Sequence, residues 1–340
     1  MRYHPELGPV PSVGLELEVV TFEPSSAAAQ SRVVQKLVSA GYMPDTVYSP
    51  NNGYTYFGGG LAQHDYHCNC ETCKRITTTM SYPLQVALQR DASLTKYGGE
   101  FITSPFPASH EFIDDAEEVF AIIGNTAVWT LDLLNEHGSS ASPGLHIHTY
   151  SAGLDERFGT GKTGFVDPFT QTQTVDKVQL NRFIATMYAF IPELLNLASA
   201  NNFGYKRGLE YRLPINEPFN HHAFIAVSGR GDTRIPFRLE FRFWEIPYGD
   251  TEYLRSAIYL TSALAQFVLR PRALKRLSVV EGLLEWNNTS RQLDHILDQF
   301  SIQRLDLLQY AVTTGTALVD DPQGLAAVEM LFDRVRRART

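Results

Sequence analysis

Residues 234–245 carry the clearest pattern in the chain: Arg234-Ile235-Pro236-Phe237-Arg238-Leu239-Glu240-Phe241-Arg242-Phe243-Trp244-Glu245. Alternate residues are apolar, which is the period of a β-strand. The apolar face suits a protein core and consists of Ile235, Phe237, Leu239, Phe241 and Phe243. The polar face holds three guanidiniums around one carboxylate: Arg234, Arg238, Glu240 and Arg242. Such a row is suited to binding phosphate and a metal ion. The alternative is an exposed strand face with a local ion pair.

A second predicted strand lies within residues 13–23, where Glu16 and Glu18 share one face. Like carboxylates at this spacing repel each other unless a cation lies between them. Two ligands of a divalent metal ion are therefore one interpretation. A solvated edge strand with two acids is the other.

Two further segments place polar groups on strands. Glu100 follows Gly98 and Gly99, where the backbone can approach a ligand closely. A glycine turn with an acid beside it is the alternative. His146 and His148 share one face of a strand predicted at 144–150, and two imidazoles on one face favour a ligand role.

Composition indicates an ordinary globular protein. The chain has 340 residues, of which 44% are apolar and 19% charged, and its formal net charge is −8. That length allows a large core. The negative charge argues against an extended nucleic-acid surface. No apolar run approaches the ~20 residues of a membrane helix, and no secretion signal is visible. We therefore expect a cytoplasmic protein with no membrane partner.

The three cysteines form one cluster, Cys68, Cys70 and Cys73, within residues 64–74. A secreted disulfide framework would distribute its cysteines along the chain, so this cluster indicates thiols kept reduced in a cytoplasm. Thiolates at this density fit a structural Zn²⁺, with His67 or His64 as the fourth ligand. Unrelated free thiols and a redox-active pair are the alternatives.

Helical periodicity covers much of the remaining sequence. The predicted helices span 24–41, 109–137, 174–200 with a kink near Pro192, 251–270, 290–310 and 321–338. We expect a catalytic domain over residues 1–250, with a Cys/His insertion at about 64–74. A helical region at 251–340 would pack on it.

Five short motifs, in order between about residues 13 and 245, resemble the glutamine synthetase and glutamate–cysteine ligase superfamily. The resemblance is closest to its amidoligase branch of small, often phage-encoded carboxylate–amine ligases. Gly14-Leu15-Glu16-Leu17-Glu18 is similar to the first-strand G-x-E-x-E motif. Arg90-Asp91-Ala92-Ser93-Leu94 with Gly99-Glu100-Phe101 is similar to D-G-S-L … G-x-E, with Ala92 where the family usually has glycine. The others are Gly144-Leu145-His146-Ile147-His148, Asn202-Phe203-Gly204-Tyr205-Lys206-Arg207 and Leu239-Glu240-Phe241-Arg242-Phe243.

The resemblance implies an α+β fold, in which a curved antiparallel β-sheet forms a half-barrel or funnel and helices pack outside. It also implies an ATP-dependent ligase. A carboxylate would attack the γ-phosphate to give an acyl phosphate, and an amine would then displace phosphate to form an amide.

The resemblance also implies roles for individual residues. Glu18 and Glu100 would hold one Mg²⁺, and Glu16, His146 and Glu240 would hold a second. The third family carboxylate on the first ion has no clear match. Glu100, Glu240 and Arg242 would be catalytic, with Arg242 neutralising the transferred phosphate, and His148 would lie near the nucleotide. The candidates for binding phosphate or the substrate carboxylate are Arg207, Arg230, Arg234 and Arg238.

Two alternative functions stay open at this point. The first is a phosphotransferase of the same fold, similar to guanidino kinases. The second is a non-enzymatic binding protein stabilised by zinc at the cysteine cluster. For the ligase, the sequence leaves open whether a partner is an amino acid, a peptide, a polyamine or a modified nucleotide. A phage-encoded protein would act in the cytoplasm of the bacterial host, and the oligomeric state is open.

Overall fold

The structure is a computed structural model, and it describes 16 parts of the chain between Ser12 and Arg339. These are residues 12–20, 33, 35–42, 86–89, 98–103, 106–126, 144–150, 164–166, 174–176, 183, 186–187, 189–200, 224–228, 238–247, 249–269 and 299–339. The predicted zinc site, with Cys68, Cys70, Cys73 and His67, lies outside these residues. Arg207, Arg230 and Arg234 lie outside them too.

An antiparallel sheet of seven strands is the centre of the described structure. Its strands are β1 (Ser12–Val20), β2 (Val86–Gln89), β3 (Gly98–Thr103), β4 (Phe106–Pro107), β5 (Leu145–Tyr150), β8 (Ile225–Ser228) and β9 (Arg238–Trp244). The order is β2-β3-β1-β5-β9-β8, with β4 pairing beside β1, and the sheet does not close into a barrel. A separate hairpin pairs β6 (Gly164–Val166) with β7 (Thr174–Asp176).

Helices account for most of the other described residues. They are α1 (His110–Thr126), α2 (Ile191–Ala198), α3 (Thr251–Leu269), α4 (Ile302–Thr314) and α5 (Pro322–Arg339), with a 3₁₀ turn at Ala317–Asp320. The predicted α+β class and antiparallel sheet are confirmed. None of the described helices combines the length and apolar character needed to cross a membrane.

The two faces of the sheet differ sharply. On one face Leu15, Leu17 and Ile147 are completely or almost completely buried, as the alternation of their strands predicts. Helix α3 contacts β1, β5 and β9. The indole Nε1 of Trp244 donates a hydrogen bond of 2.8 Å to Thr261 Oγ1 of this helix. The core therefore lies between α3 and the central strands, and the acidic and imidazole side chains of these strands lie on the other face.

A β-bulge interrupts the alternation of β9. Ile147 lies opposite Phe241, but Leu145 lies opposite Trp244, so β9 contains one more residue than β5 over this interval. The extra residue places Trp244 on the same face as Phe241 and reverses the alternation beyond it. The period-two prediction thus holds up to Arg242 and fails after it. Phe243, at the bulge, is still fully buried and stacks on Phe224 with ring centroids 4.4 Å apart.

Two helix predictions need correction. The predicted helix at 174–200 is wrong at its start, because Thr174–Asp176 form β7. At its other end Pro192 lies in the first turn of α2, so it begins a new helix rather than kinking a continuous one. Proline has no N–H, and the first turn does not need one. The predicted helix at 290–310 is wrong at 299–301, because Ser301 caps the start of α4 by accepting a hydrogen bond from Arg304 N.

The basic end of α5 is held by carboxylates of neighbouring helices. Arg334 pairs with Asp250, next to the start of α3, and Arg336 pairs with Asp306 of α4 at 2.7 Å. These ion pairs are partly exposed, so each contributes modestly to stability. Their effect is to engage both guanidiniums within the fold.

Candidate metal centre

The register of three neighbouring strands brings the predicted polar residues together. Glu16 of β1 lies directly opposite His146 of β5, and His148 lies directly opposite Glu240 of β9. Directly paired residues share a face of a sheet, and so do residues two apart on one strand. Glu16, Glu18, His146, His148 and Glu240 therefore all belong to the face opposite the core.

Small residues flank this row of side chains. Gly14 lies opposite His148 on one side, and Ala226 of β8 lies opposite Glu240 on the other. Neither position adds a bulky side chain, so β1 and β8 leave space beside the imidazole and the carboxylate. Ile102 of β3 lies opposite Glu16 and adds an apolar neighbour to the same face.

The ring of His146 lies at the centre of the cluster. Its Nδ1 is 3.3 Å from Glu16 Oε2 and 3.4 Å from Glu240 Oε1, and its Nε2 is 3.6 Å from Glu18 Oε1. His146 is only 1% exposed, and Glu18 and Glu240 are 5% and 6% exposed. Three carboxylates thus surround one buried imidazole.

The distances fit a divalent cation shared by Glu16, His146 and Glu240. One ligand atom from each of these residues lies within 4.8 Å of the others. Two ligand atoms about 2.1 Å from one ion would be about 3.0–3.4 Å apart at octahedral or tetrahedral angles. The separations of His146 Nδ1 from the two carboxylate oxygens, 3.3 and 3.4 Å, therefore need little adjustment.

The electrostatics of the cluster also favour a cation. Arg242 donates a hydrogen bond to Glu240 Oε1, and the carboxylates of Glu16 and Glu18 lie beside the imidazoles of His148 and His146. A divalent cation would add positive charge beside these carboxylates. Buried charge without such compensation is costly.

Glu16 is held in the form that binds metal. Burial raises the pKa of its carboxyl, but hydrogen bonds and charge interactions with His146 and His148 lower it more, so the pKa lies well below its ordinary value. The shortest of these contacts is 2.7 Å, between His148 Nε2 and Glu16 Oε2. Glu16 is therefore a carboxylate at neutral pH.

Not all predicted site residues can be placed. Glu16, Glu18, His146, His148, Glu240 and Arg242 form the cluster described above. The backbone of Glu100 lies opposite Glu18, and that of Arg238 lies opposite Ser228, but their side chains are outside the description. Arg207, Arg230, Arg234 and the cysteine cluster are outside it entirely. Their roles stay predictions.

Sequence reasoning missed two residues of this face, Ala226 and Ile102. Their positions depend on which residues of neighbouring strands lie opposite one another. No period within a single strand carries that information.

A comparison of the sequence with protein-family models finds no match, and a comparison with curated proteins finds none either. The residues of the cluster and their geometry therefore carry the structural information about function.

Proposed function

We propose that this protein is an ATP-dependent carboxylate–amine ligase that works on the polar face of its sheet. The observation that supports this most is the convergence of Glu16, His146 and Glu240, from three strands, on a volume that fits one divalent ion. Arg242 lies beside them. The motif resemblance to the amidoligases supplies the reaction class.

Enzymes catalyse phosphoryl transfer mainly by positioning the reactants and neutralising charge on the phosphate. The transfer needs a divalent cation on fixed ligands and a guanidinium near the transferred group. Glu16, His146 and Glu240 would hold such a cation, and Arg242 would donate hydrogen bonds to the phosphoryl oxygens. Bound Mg²⁺ would neutralise negative charge on the phosphate oxygens. We assign Glu18 and Glu100 to a second ion, and their oxygen donors suit Mg²⁺.

The proposed reaction has two steps. A carboxylate oxygen of the first substrate attacks the γ-phosphorus of ATP, so an acyl O–P bond forms, the bond to the bridging oxygen breaks and ADP leaves. The amine nitrogen of the second substrate then attacks the acyl carbon, so a C–N bond forms, the C–O bond to phosphate breaks and the amine releases a proton. Charge on the phosphoryl group develops in both steps, and Arg242 would stabilise it.

The cluster favours an enzyme over the zinc-stabilised binding protein. A binding protein that depended on its cysteines would have no need for two buried carboxylates, Glu18 and Glu240, at the two nitrogens of one imidazole. The phosphotransferase shares the same chemistry up to the transfer of phosphate. Only the product separates it from the ligase.

Hydroxylamine tests the proposal without knowledge of the natural amine. The protein is incubated with ATP, Mg²⁺ or Mn²⁺, hydroxylamine and a panel of carboxylic acids, including the amino acids, and the products are identified by mass spectrometry. A ligase gives a hydroxamate and ADP, because hydroxylamine intercepts an acyl phosphate. A phosphorylated amine in a parallel panel of guanidino compounds would instead identify the phosphotransferase.

Matched variants connect the activity to the cluster. Glu240→Gln should lower hydroxamate formation by more than the about 10–100-fold effect typical of an outer-shell partner of a metal. Glu329→Gln, at an exposed position of α5, should leave it unchanged. Full activity of Glu240→Gln would contradict the proposal, and so would failure of the wild-type protein to bind ATP with either metal.

A further inference from the structure

His148 differs from the other imidazole of the cluster in what it contacts. The resemblance implies a place near the nucleotide, but its ring is directed at Glu16. We propose that His148 is a positioning residue, whose Nε2–H fixes the carboxylate of Glu16 in the orientation that lets Glu16, His146 and Glu240 share one ion. This inference rests on the metal centre of the proposed function.

Distances separate the roles of the two histidines. His146 Nδ1 is nearly equidistant from Glu16 Oε2 and Glu240 Oε1, at 3.3 and 3.4 Å, which is the arrangement of a ligand between two other ligands. His148 Nε2 is 2.7 Å from Glu16 Oε2, which is the length of a charge-assisted hydrogen bond. His148 also stands outside the group whose ligand atoms all lie within 4.8 Å of one another.

The burial of His148 supports a role that depends on its hydrogen bond to Glu16. His148 is 5% exposed, and its Nδ1 has no hydrogen-bond partner among the described residues. A buried ring nitrogen without a partner lowers stability. In the register the residue faces Gly14, which has no side chain for the ring to pack against. An apolar residue would fill this position at less cost, so the bond to Glu16 explains why histidine is there.

A carboxylate ligand needs such a partner because it can rotate and present either oxygen. A hydrogen bond to one oxygen fixes the plane of the carboxylate and thereby the direction of its free lone pairs. Outer-shell partners of this kind typically change metal affinity by 10–100-fold. His146 Nε2 lies 3.6 Å from Glu18 Oε1, which is longer than a hydrogen bond, so the 2.7 Å contact of His148 is the shorter contact of the two rings with a carboxylate.

The test measures Mn²⁺ affinity of the full chain, from the EPR signal of free Mn²⁺ and by calorimetry. His148→Ala removes the donor, and His148→Gln places an amide nitrogen close to the position of Nε2. We expect alanine to weaken Mn²⁺ binding by about 10–100-fold and glutamine to restore it to within a few-fold of wild type. His110→Gln, at a half-exposed position at the start of α1, should have no effect.

Each outcome bears on the proposal. Wild-type affinity in His148→Ala would overturn it, and so would equal losses in the alanine and glutamine variants. If His148→Ala does not fold, His148→Asn replaces it, because its amide nitrogen lies nearer to Nδ1 and cannot make the bond. Absence of Mn²⁺ binding by the wild-type protein would overturn the metal centre and this inference together. Mn²⁺ binding that depends on His148, without hydroxamate formation, would overturn the ligase alone.

Discussion

Replacing Gly324 with alanine would test the packing that holds α5 against α3. Gly324 lies in the first turns of α5, against the ring of Tyr259. A Cβ added at Gly324 would lie 2.6 Å from Cε1 and 2.7 Å from Cδ1 of that ring. Carbon atoms in favourable contact are about 3.5–4.0 Å apart. Tyr259 is only 2% exposed, so its ring has little freedom to move away.

Two opposing terms set the size of the effect. Overpacking a buried contact typically costs about 1–3 kcal/mol. Alanine has a higher helix propensity than glycine, which returns up to about 1 kcal/mol. We therefore expect the free energy of unfolding to fall by about 1–2 kcal/mol. The added Cβ would also lie 2.9 Å from Asp321 Oδ2, so this carboxylate, which accepts a hydrogen bond from Gly324 N through Oδ1, would have to shift as well.

Urea unfolding followed by tryptophan fluorescence measures this change. The variants are Gly324→Ala, Tyr259→Leu and the double variant, since leucine removes the ring carbons that the new methyl would meet. The double-mutant cycle should show that the alanine is less harmful, by about 1 kcal/mol, when Tyr259 has been replaced by leucine. Gly41→Ala is the control. Its added Cβ meets no atom within 4 Å, and its φ of +85° makes any loss one of backbone strain.

Two results would refute this reasoning. One is a Gly324→Ala protein at least as stable as wild type. The other is an equal loss with Tyr259 and with leucine at that position, since the loss would then not come from the ring. In either case Gly324 would not mark a close approach of the two helices.

Three further predictions concern the cluster, a buried carboxyl and the core of β9. Mn²⁺ should bind the cluster more tightly than Mg²⁺, because an imidazole nitrogen suits a transition-metal ion better. Calorimetry should show a smaller difference between the two affinities in His146→Gln. Burial raises the pKa of Glu193, although Ser301 N and Arg304 partly oppose this. The folded chain then holds a proton that the unfolded chain releases near its ordinary pKa of about 4.3, so the free energy of unfolding should fall as pH rises from there towards the folded pKa. Urea titrations at several pH values should show that Glu193→Gln removes this fall. If the free energy of unfolding of wild type and variant changed with pH in parallel, Glu193 would not be its cause. Phe243→Leu should lower the free energy of unfolding by about 1–3 kcal/mol, because it loses stacking and buried area, and a change within about 0.5 kcal/mol would count against that packing.

Strand periodicity predicted which residues would face the site. The alternation places Glu16, Glu18, His146, His148 and Glu240 on polar strand faces, and the structure brings them together. Side chains alternate along any strand, so one segment is enough to separate the two faces.

The pairing between strands could not be predicted from the pattern within each strand. That Glu16 meets His146, and His148 meets Glu240, depends on a register set by the whole sheet. The bulge in β9 is a second example, since the buried position of Trp244 reflects one extra residue relative to β5. Pro192 is a third, because its ring is compatible with either a kink or a helix start.

The separation of the ligands along the chain has a consequence for folding. Glu16 and His146 are 130 residues apart, and Glu240 lies on a third strand. An ion bound to all three would act as a cross-link between distant parts of the chain and would favour the folded state over the unfolded one. Contacts at such separations form slowly, after local structure. Metal binding would therefore mark the completion of the sheet, and a nascent chain that ends before β9 would still lack the third ligand.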